Sequence, residues 1–299
     1  MAKNDAPLID DKLARELHRP PRPEPTTAEP PQPRVELQRF QVLEQLVRDN
    51  PANPQPYNEL AEIYQGQGRL KDAARVLEQA VRFCEAEELL FRYEDVRLKL
   101  SHASWQATLA EYDRYQTEAN REECRRAEAE YFALQHAIGD ARQTRDPDNP
   151  DWTIHSAAAL RRLGRGGEAI AKLEPLKTHP RVRSQASLLL GQCLEDAGQV
   201  VDSLAAYRRA ATFRAPPPPY DIRRLALHRA ADLSAKHSLF ASAAKYIELL
   251  LADLKNGRAA DAAQGAAEIE QLRHKLTRHW AAAAAQRGES PPAASGKLE

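Results

Sequence analysis

One segment near the N-terminus recurs in register further along the chain, and this repetition limits the folds that the sequence can adopt. Within each copy the apolar residues recur at steps of three and four, which predicts a pair of amphipathic helices. Seven residues of the first copy (Pro51, Asn53, Pro54, Tyr64, Gly68, Ala73 and Leu77) correspond, 96 residues later, to Pro147, Asn149, Pro150, Leu160, Gly164, Ala169 and Leu173. Such a register indicates stacked helix pairs.

Further units extend this pattern on both sides. A third unit follows after another 34 residues, with Gly191, Leu194, Gly198, Ser203, Tyr207 and Ala210. A looser fourth unit contains Ala230, Ala231, Ala243, Ile247 and Leu250. Upstream, Phe40, Leu43, Leu46 and Pro51 predict the second helix of an incomplete first unit. Each unit buries its apolar face against its neighbours, so the repeats form one continuous array.

The spacing inside the first full unit resembles the tetratricopeptide (TPR) repeat family. The residues that carry the resemblance are Tyr57, Leu60, Ala61 and Tyr64, then Ala73, Leu77 and Ala80. The small alanines stand where two antiparallel helices approach most closely, and Gly68 ends the first helix. The resemblance implies an all-α fold, a TPR-like right-handed α-solenoid of antiparallel helix pairs.

The resemblance also implies a function, because TPR proteins are adaptors without catalytic activity. Their first helices line a concave groove that holds a partner peptide or helix. In this register we expect polar contacts to the partner from Asn58, Glu62, His155, Arg162, Gln185, Gln192, His228 and Asp232. In chaperone-binding members, a Lys/Asn/Arg clamp grips a terminal carboxylate. Among the groove positions of this chain, Asn58 alone resembles a residue of that clamp. We therefore do not expect that clamp here.

The 96-residue offset leaves room for an irregular stretch between the first and second units. Cys84 to Ile138 contains neither glycine nor proline, which predicts two long helices over about 86–118 and 121–144. Asn120 and Glu123 have capping-box spacing at the break. The expected contact residues are Leu89, Tyr93, Val96, Leu100, Ala103, Ala107 and Ala110 in one helix and Ala127, Tyr131, Leu134 and Ile138 in the other. This coiled-coil-like hairpin either braces the neighbouring repeats or projects as a partner-binding arm.

These observations predict six segments. They are a disordered Pro-rich tail (1–34), N-terminal repeats (35–83), the acidic hairpin (84–146), C-terminal repeats (147–255), a capping helix (256–283) and a disordered tail (284–299). Leu8, Ile9, Leu13 and Leu17 form one apolar stripe inside the first tail. Ile269, Leu272, Leu276 and Trp280 form the apolar face of the capping helix.

The composition disfavours several classes of function. The 43 basic and 43 acidic side chains cancel, and no apolar run has the length of a signal peptide or membrane span. Cys84, Cys124 and Cys193 are too few and too far apart for a disulfide framework or metal cluster. The nine histidines form no ligand pair at helical spacing, and no cofactor motif is present. We expect a cytoplasmic protein that is not an enzyme and uses no cofactor or metal.

Charge is distributed unevenly between the hairpin and the repeats that follow it. Residues 85–148 carry 15 acidic and 9 basic side chains, whereas residues 151–229 carry 13 basic and 7 acidic. Arg161, Arg162, Arg208, Arg209, Arg223 and Arg224 are prominent in the basic half. One alternative to the adaptor is therefore a nucleic-acid-linked regulator using residues 161–224. The other is a structural protein that dimerises through the 86–144 hairpin.

Overall fold

The described residues of this computed structural model, 33–213, 216–256 and 262–286, form twelve α-helices and no strand. The helices are α1 Pro33–Asp49, α2 Pro54–Gly66, α3 Leu70–Phe83, α4 Glu87–Tyr115, α5 Glu118–Arg145, α6 Pro150–Arg162, α7 Gly166–Leu173, α8 Arg183–Asp196, α9 Val200–Thr212, α10 Tyr220–Lys236, α11 Phe240–Lys255 and α12 Ala262–Gln286. The expectation of an all-α fold of helix pairs is confirmed. The predicted tails fall largely outside the described residues.

The chain divides into two compact units, Met1–Tyr93 and Glu94–Glu299. In the first unit, α1 packs on α2 and α2 packs on α3. In the second, each helix from α5 to α11 packs on the next helix in the chain. Contacts also join α6 with α8, α8 with α10, and α10 with α12. The first helices α6, α8 and α10 therefore lie side by side, as stacked helix pairs require. The six predicted segment boundaries remain predictions.

The predicted helix starts of the first and second repeats have the same cap. Asn53 accepts a hydrogen bond through Oδ1 from the amide of Gln55 at 3.1 Å. Asn149 accepts one from the amide of Asp151 at 3.2 Å. A proline follows each asparagine as the first residue of the helix, where its missing N–H costs nothing. The equivalence seen in the sequence is thus an equivalence of local geometry.

A left-handed residue joins the two helices of every pair. Gly68, Gly164 and Gly198 have φ between +73° and +75°, and Ser238 has φ +60°. In each turn the next residue donates its amide N–H to a carbonyl five residues earlier, at 2.8–2.9 Å. Glycine adopts this conformation without penalty, whereas serine does not. Ser238 thus takes the place of the turn glycine in the loosely matching fourth unit.

Small residues stand where the two helices of each pair cross. The crossing pairs, each separated by the same interval, are Ala61 with Ala73, Ala157 with Ala169, Gly191 with Ser203, and Ala231 with Ala243, and all are buried. In the third pair the Ser203 hydroxyl donates to the carbonyl oxygen of Gly191 at 2.8 Å. Buried small residues at the spacing of the predicted close approach thus recur in four pairs, and the hydrogen bond shows the close approach directly in the third.

The hairpin turn differs from its prediction. The α4 helix ends at Tyr115, Gln116 has φ +47°, and α5 begins at Glu118. The cap of α5 is Thr117, whose hydroxyl oxygen accepts from the amide of Asn120 at 3.2 Å. The prediction that Asn120 caps this helix was wrong, because a threonine three residues earlier performs the same function.

The contacts between α4 and α5 also differ from the predicted seam toward the tip. Ala103, Ala107 and Ala110 are exposed. The Trp105 ring instead stacks on Tyr131, with centroids 5.6 Å apart and an interplanar angle of 21°. The backbones of α4 and α5 are too far apart along most of their length for alanine side chains to meet. Large rings fill this space instead.

Nearer its base, the hairpin packs on the repeats. A Cβ atom added to Gly139 of α5 would lie 3.0 Å from Cβ of Ser156 in α6, so these helices touch backbone to backbone. Beyond this region Cys124, 8% exposed, is the one buried residue among residues 97–127. The base of the hairpin thus braces α6, as the first alternative predicted. Its outer half is largely exposed, and partner binding by this half remains a prediction.

The last helix covers the end of the second unit. Ile269, Leu272 and Leu276 of α12 are buried in the cluster formed by α9, α10 and α11. The Trp280 ring stacks on Phe240 at a centroid distance of 5.6 Å. Since α12 contacts both α10 and α11, it lies where the first helix of another pair would lie. Its outward residues are mostly polar, as a terminal repeat requires.

Candidate partner-binding surface

The eight predicted groove residues lie on first helices, as their register requires. Asn58 and Glu62 are on α2, His155 and Arg162 on α6, Gln185 and Gln192 on α8, and His228 and Asp232 on α10. The first two belong to the first compact unit and the others to the second. The surroundings of the eight residues differ, which separates those free to meet a partner from those engaged in internal contacts.

On α2, one residue is enclosed and the other is exposed. Asn58 is half-buried, and its Oδ1 atom is enclosed without a hydrogen-bond partner among the described residues. The Glu62 side chain is 63% exposed and accepts a hydrogen bond from Arg92 at 2.8 Å. An exposed ion pair of this kind contributes little to stability, so a partner would displace it at small cost.

On α6, His155 is open and Arg162 is engaged by the hairpin. His155 is exposed beside the ring of Trp152, at a centroid distance of 6.0 Å. Arg162 pairs with Glu128 of α5, and its guanidinium lies 5.1 Å from the centroid of the Phe132 ring. Arg162 therefore fastens the hairpin to the repeats, a role that its position on a helix face did not reveal.

On α8, Gln185 is exposed and has no hydrogen-bond partner among the described residues. Gln192 is half-buried and accepts from Arg161 at 3.2 Å. The same guanidinium binds Asp196 at 2.7 Å. Gln192 thus belongs to a bridge between α6 and α8, whereas Gln185 is available to a ligand.

On α10, the two predicted residues face the last helix. Asp232 binds Lys236 at 2.7 Å and Lys275 of α12 at 3.4 Å. Burial acts to raise the pKa of Asp232, but the hydrogen bonds and charges of these two lysines outweigh it and leave the pKa lowered. Burial also lowers the pKa of His228, although Asp232 and Glu268 act in the opposite direction. In this repeat α12 covers the predicted groove positions.

A polar cluster that the sequence reasoning missed joins the hairpin to α6 and α7. The buried Ser156 hydroxyl donates to Asp140 Oδ1 at 2.6 Å and lies 2.9 Å from His136 Nδ1. Lys172 of α7 donates to the same carboxylate oxygen at 2.9 Å. Burial acts to raise the pKa of Asp140, but these hydrogen bonds prevail and lower it. The i, i+4 spacing of His136 and Asp140 was the available signal.

A second missed cluster fixes the base of the hairpin. Glu94 is 6% exposed and accepts from Arg142 at 2.7 Å and from Arg145 at 2.7 and 2.8 Å. Arg142 also donates to Asp95 at 2.8 Å, and its guanidinium lies 4.9 Å from the Trp152 ring centroid. The buried charges are thus mutually compensated, as burial of ions requires.

The six prominent arginines are mostly paired with carboxylates. Arg161 binds Asp196 at 2.7 Å and Arg223 binds Asp253 at 2.6 Å, while Arg162 pairs with Glu128 and Arg224 with Glu268. Arg208 and Arg209 are exposed. Arg162 with Glu128, and in addition Lys172 with Asp140, join the acidic hairpin to the basic repeats. Part of the charge asymmetry therefore serves attraction within the chain.

The three cysteines are free and buried. Burial raises the pKa of Cys193 to about 11 and raises that of Cys84 as well. A thiol with a raised pKa holds little thiolate at neutral pH and is a weak nucleophile. Within the described residues, no group of three or more His, Cys, Asp or Glu side chains could hold a metal ion. In the same residues, no helix is both long and apolar enough to cross a membrane.

Comparison with known proteins gives a structural likeness alone. The sequence matches no protein-family model and no curated protein. Among solved structures, the chain is similar to a chain in the structure of Naa15/Naa10 bound to HypK-THB, with 15% sequence identity and a TM-score of 0.37. The alignment covers 87% of this chain and 42% of that chain. At this distance the likeness identifies neither a family nor an activity.

Proposed function

We propose that this protein is a non-catalytic scaffold of the TPR type, which binds a peptide or helix of a partner protein along its first helices. The observation that carries the proposal is the side-by-side placement of α6, α8 and α10 in the second unit. A row of parallel helices presents side chains at a regular interval, which suits an extended or helical ligand.

The open part of this surface lies on α6 and α8. His155 and Gln185 are exposed on these two helices, and both side chains hydrogen-bond readily to a peptide backbone. Close to Gln185 in the helix, Leu188 and Leu189 are buried in the core. They hold α8 in place, so Gln185 stands on a fixed backbone. We place the primary contact here, and not at His228 and Asp232.

The experiment is quantitative affinity capture from a lysate of the source cells. It compares the native chain with a His155→Ala/Gln185→Ala variant and with a matched control. The control is Asp202→Ala/Arg209→Ala, two exposed positions on the second helix α9. We expect one or more proteins to be retained by the native chain and the control and lost from the variant. An identical set on all three baits would exclude this surface, and no specific protein on any bait would contradict the scaffold proposal.

The hairpin is tested separately by substitution at its tip. Deleting residues 86–144 would expose the face of α6 that α5 covers, so a lost partner could reflect misfolding. Tyr115 is 60% exposed at the tip, and Tyr115→Ser leaves the contacts with α6 intact. A partner lost with Tyr115→Ser and retained by the His155→Ala/Gln185→Ala variant would move recognition to the hairpin.

A further inference from the structure

A cavity opens in the first compact unit, away from the predicted groove residues. It has a volume of about 300 Å³ and lies among α1, α2 and α3. Its walls include Val47 of α1, Leu60 and Tyr64 of α2, and Val76 of α3. Leu60 and Tyr64 are 2% and 1% exposed and form the buried part of its lining. This volume is enough for one or two apolar side chains.

The lining of the cavity carries two positive charges and one negative charge. Arg48 and Arg75 both contribute to it and are exposed, whereas Glu44 is half-buried and accepts a hydrogen bond from the Tyr64 hydroxyl at 3.5 Å. Arg75 binds Asp72 at 3.2 Å in an exposed pair, and Arg48 has no ion-pair partner among the described residues. A ligand that places an apolar side chain inside and a carboxylate at the rim would satisfy both features.

The surface of α1 beside the cavity is itself apolar. Val42 and Leu46 are 60% and 46% exposed, although Leu46 was predicted to be a packing residue of the first unit. Val42 and Leu46 form one stripe, and the residues that follow them, Leu43 and Val47, form a second stripe that packs inward. The two stripes are therefore neighbours on one helix. A second helix of a repeat ordinarily has a first helix before it in the chain, and α1 has no such partner among the described residues.

The sequence before α1 contains one segment with the required chemistry. Ile9, Leu13 and Leu17 recur at intervals of four, and Asp10 and Asp11 follow Ile9 directly. We propose that this segment, residues 8–17, binds in the cavity through its apolar stripe, with its carboxylates toward Arg48 and Arg75. The segment thereby supplies the contact that an upstream first helix would make.

The connection is long enough for binding within one chain. Leu17 lies sixteen positions before Pro33 in the chain, a reach of up to about 50 Å at about 3.3 Å per residue. The path along α1 from Pro33 to Val47 is about 21 Å at about 1.5 Å per residue. A short tether gives an effective concentration of about 1 mM, so a segment with a Kd of about 100 μM would be about nine-tenths bound.

Hydrogen exchange of the full-length protein tests the proposal. The test variant is Ile9→Asp/Leu13→Asp. The control is Ala14→Asp/His18→Asp, which adds the same two charges off the stripe, one within the segment and one at the residue that follows it. We expect backbone amides of residues 42–49 and 73–79 to exchange about tenfold faster in the test variant alone, because a nine-tenths bound segment slows opening by that factor. Equal exchange in all three proteins would overturn the proposal.

A second measurement identifies the source of the bound segment. A nitroxide attached at Ala6→Cys is selective because the three native cysteines are buried. It should broaden the methyl resonances of Val47 and Val76, and the broadening should be independent of protein concentration. Broadening that disappears on dilution would show that a second copy supplies the segment and would overturn binding within one chain. Absence of broadening at every concentration would exclude this occupant altogether.

Discussion

Gly191 lies against the ring of Tyr207 so closely that a Cβ atom at position 191 would stand 2.6 Å from both Cδ1 and Cε1. Tyr207 is fully buried, and its hydroxyl donates to Glu195 at 2.5 Å, so the ring is held in place at both ends. The absence of a Cβ atom at Gly191 thus leaves space for the Tyr207 ring, which belongs to the other helix of the same pair. In the other three pairs the residue at the position of Gly191 is alanine. The tyrosine ring of α9 leaves room in α8 for glycine but not for alanine.

Gly191→Ala should therefore destabilise the second unit by about 2–3 kcal/mol, the usual cost of overpacking a rigid core. Urea denaturation followed by circular dichroism would measure the change. Tyr207→Leu removes the obstructing ring atoms, so the alanine should cost much less in that background. If the two substitutions were simply additive, the contact between these residues would not be the cause.

Ser238→Gly should stabilise the protein by about 0.5–1 kcal/mol, because serine is held at a positive φ that glycine adopts freely. The reverse change, Gly164→Ser, should destabilise by about 1 kcal/mol at an equivalent turn. Thermal denaturation of both variants would test the pair. A destabilised Ser238→Gly variant would mean that the serine side chain contributes more than its backbone costs.

The features that the sequence predicted well are local ones. The turn glycines and the small residues at the helix crossings each depend on a few neighbouring positions, and they repeat in phase. Even the Ser238 turn is a variant of a local rule. The all-α class and the helix pairs follow from these features together.

The features that the sequence could not predict depend on contacts between distant residues. Whether Ala103 or Trp105 faces α5 depends on the separation of the two helices, and heptad spacing does not determine that separation. Likewise, the engagement of Arg162 by Glu128 follows from the docking of the hairpin on α6. Five of the predicted groove residues (Glu62, Arg162, Gln192, His228 and Asp232) contact or face other parts of the chain for the same reason.

Glu94→Ala should destabilise the hairpin by about 3–5 kcal/mol, because it leaves the buried Arg142 and the half-buried Arg145 without their shared carboxylate. The matched control is Glu118→Ala, which removes a pair with Arg121 from a glutamate that is 76% exposed. That control should cost no more than about 1 kcal/mol. Similar urea midpoints for the two variants would show that the Glu94 cluster adds nothing beyond a surface pair.

His228 should make the stability of the second unit depend on pH just below neutrality. Burial lowers its pKa from the ordinary value of 6.5, so the unfolded chain binds a proton more readily than the folded one. The free energy of unfolding should therefore fall as the pH decreases from 6.5 toward the lower pKa of the folded state. The charged groups nearby are Arg229 and Asp232 of α10, with Glu268 and Lys275 of α12. The contact between these two helices is thus the part of the fold that protonation weakens.

Replacing His228 with glutamine isolates this effect. His228→Gln should lose less stability between pH 7 and pH 5 than the native chain, since glutamine does not titrate. His274→Gln is the matched control, because it replaces a histidine that is exposed on α12. Urea denaturation at the two pH values would provide the comparison. If His228→Gln and His274→Gln showed the same pH dependence, burial of His228 between α10 and α12 would not affect its titration, and another group would be responsible.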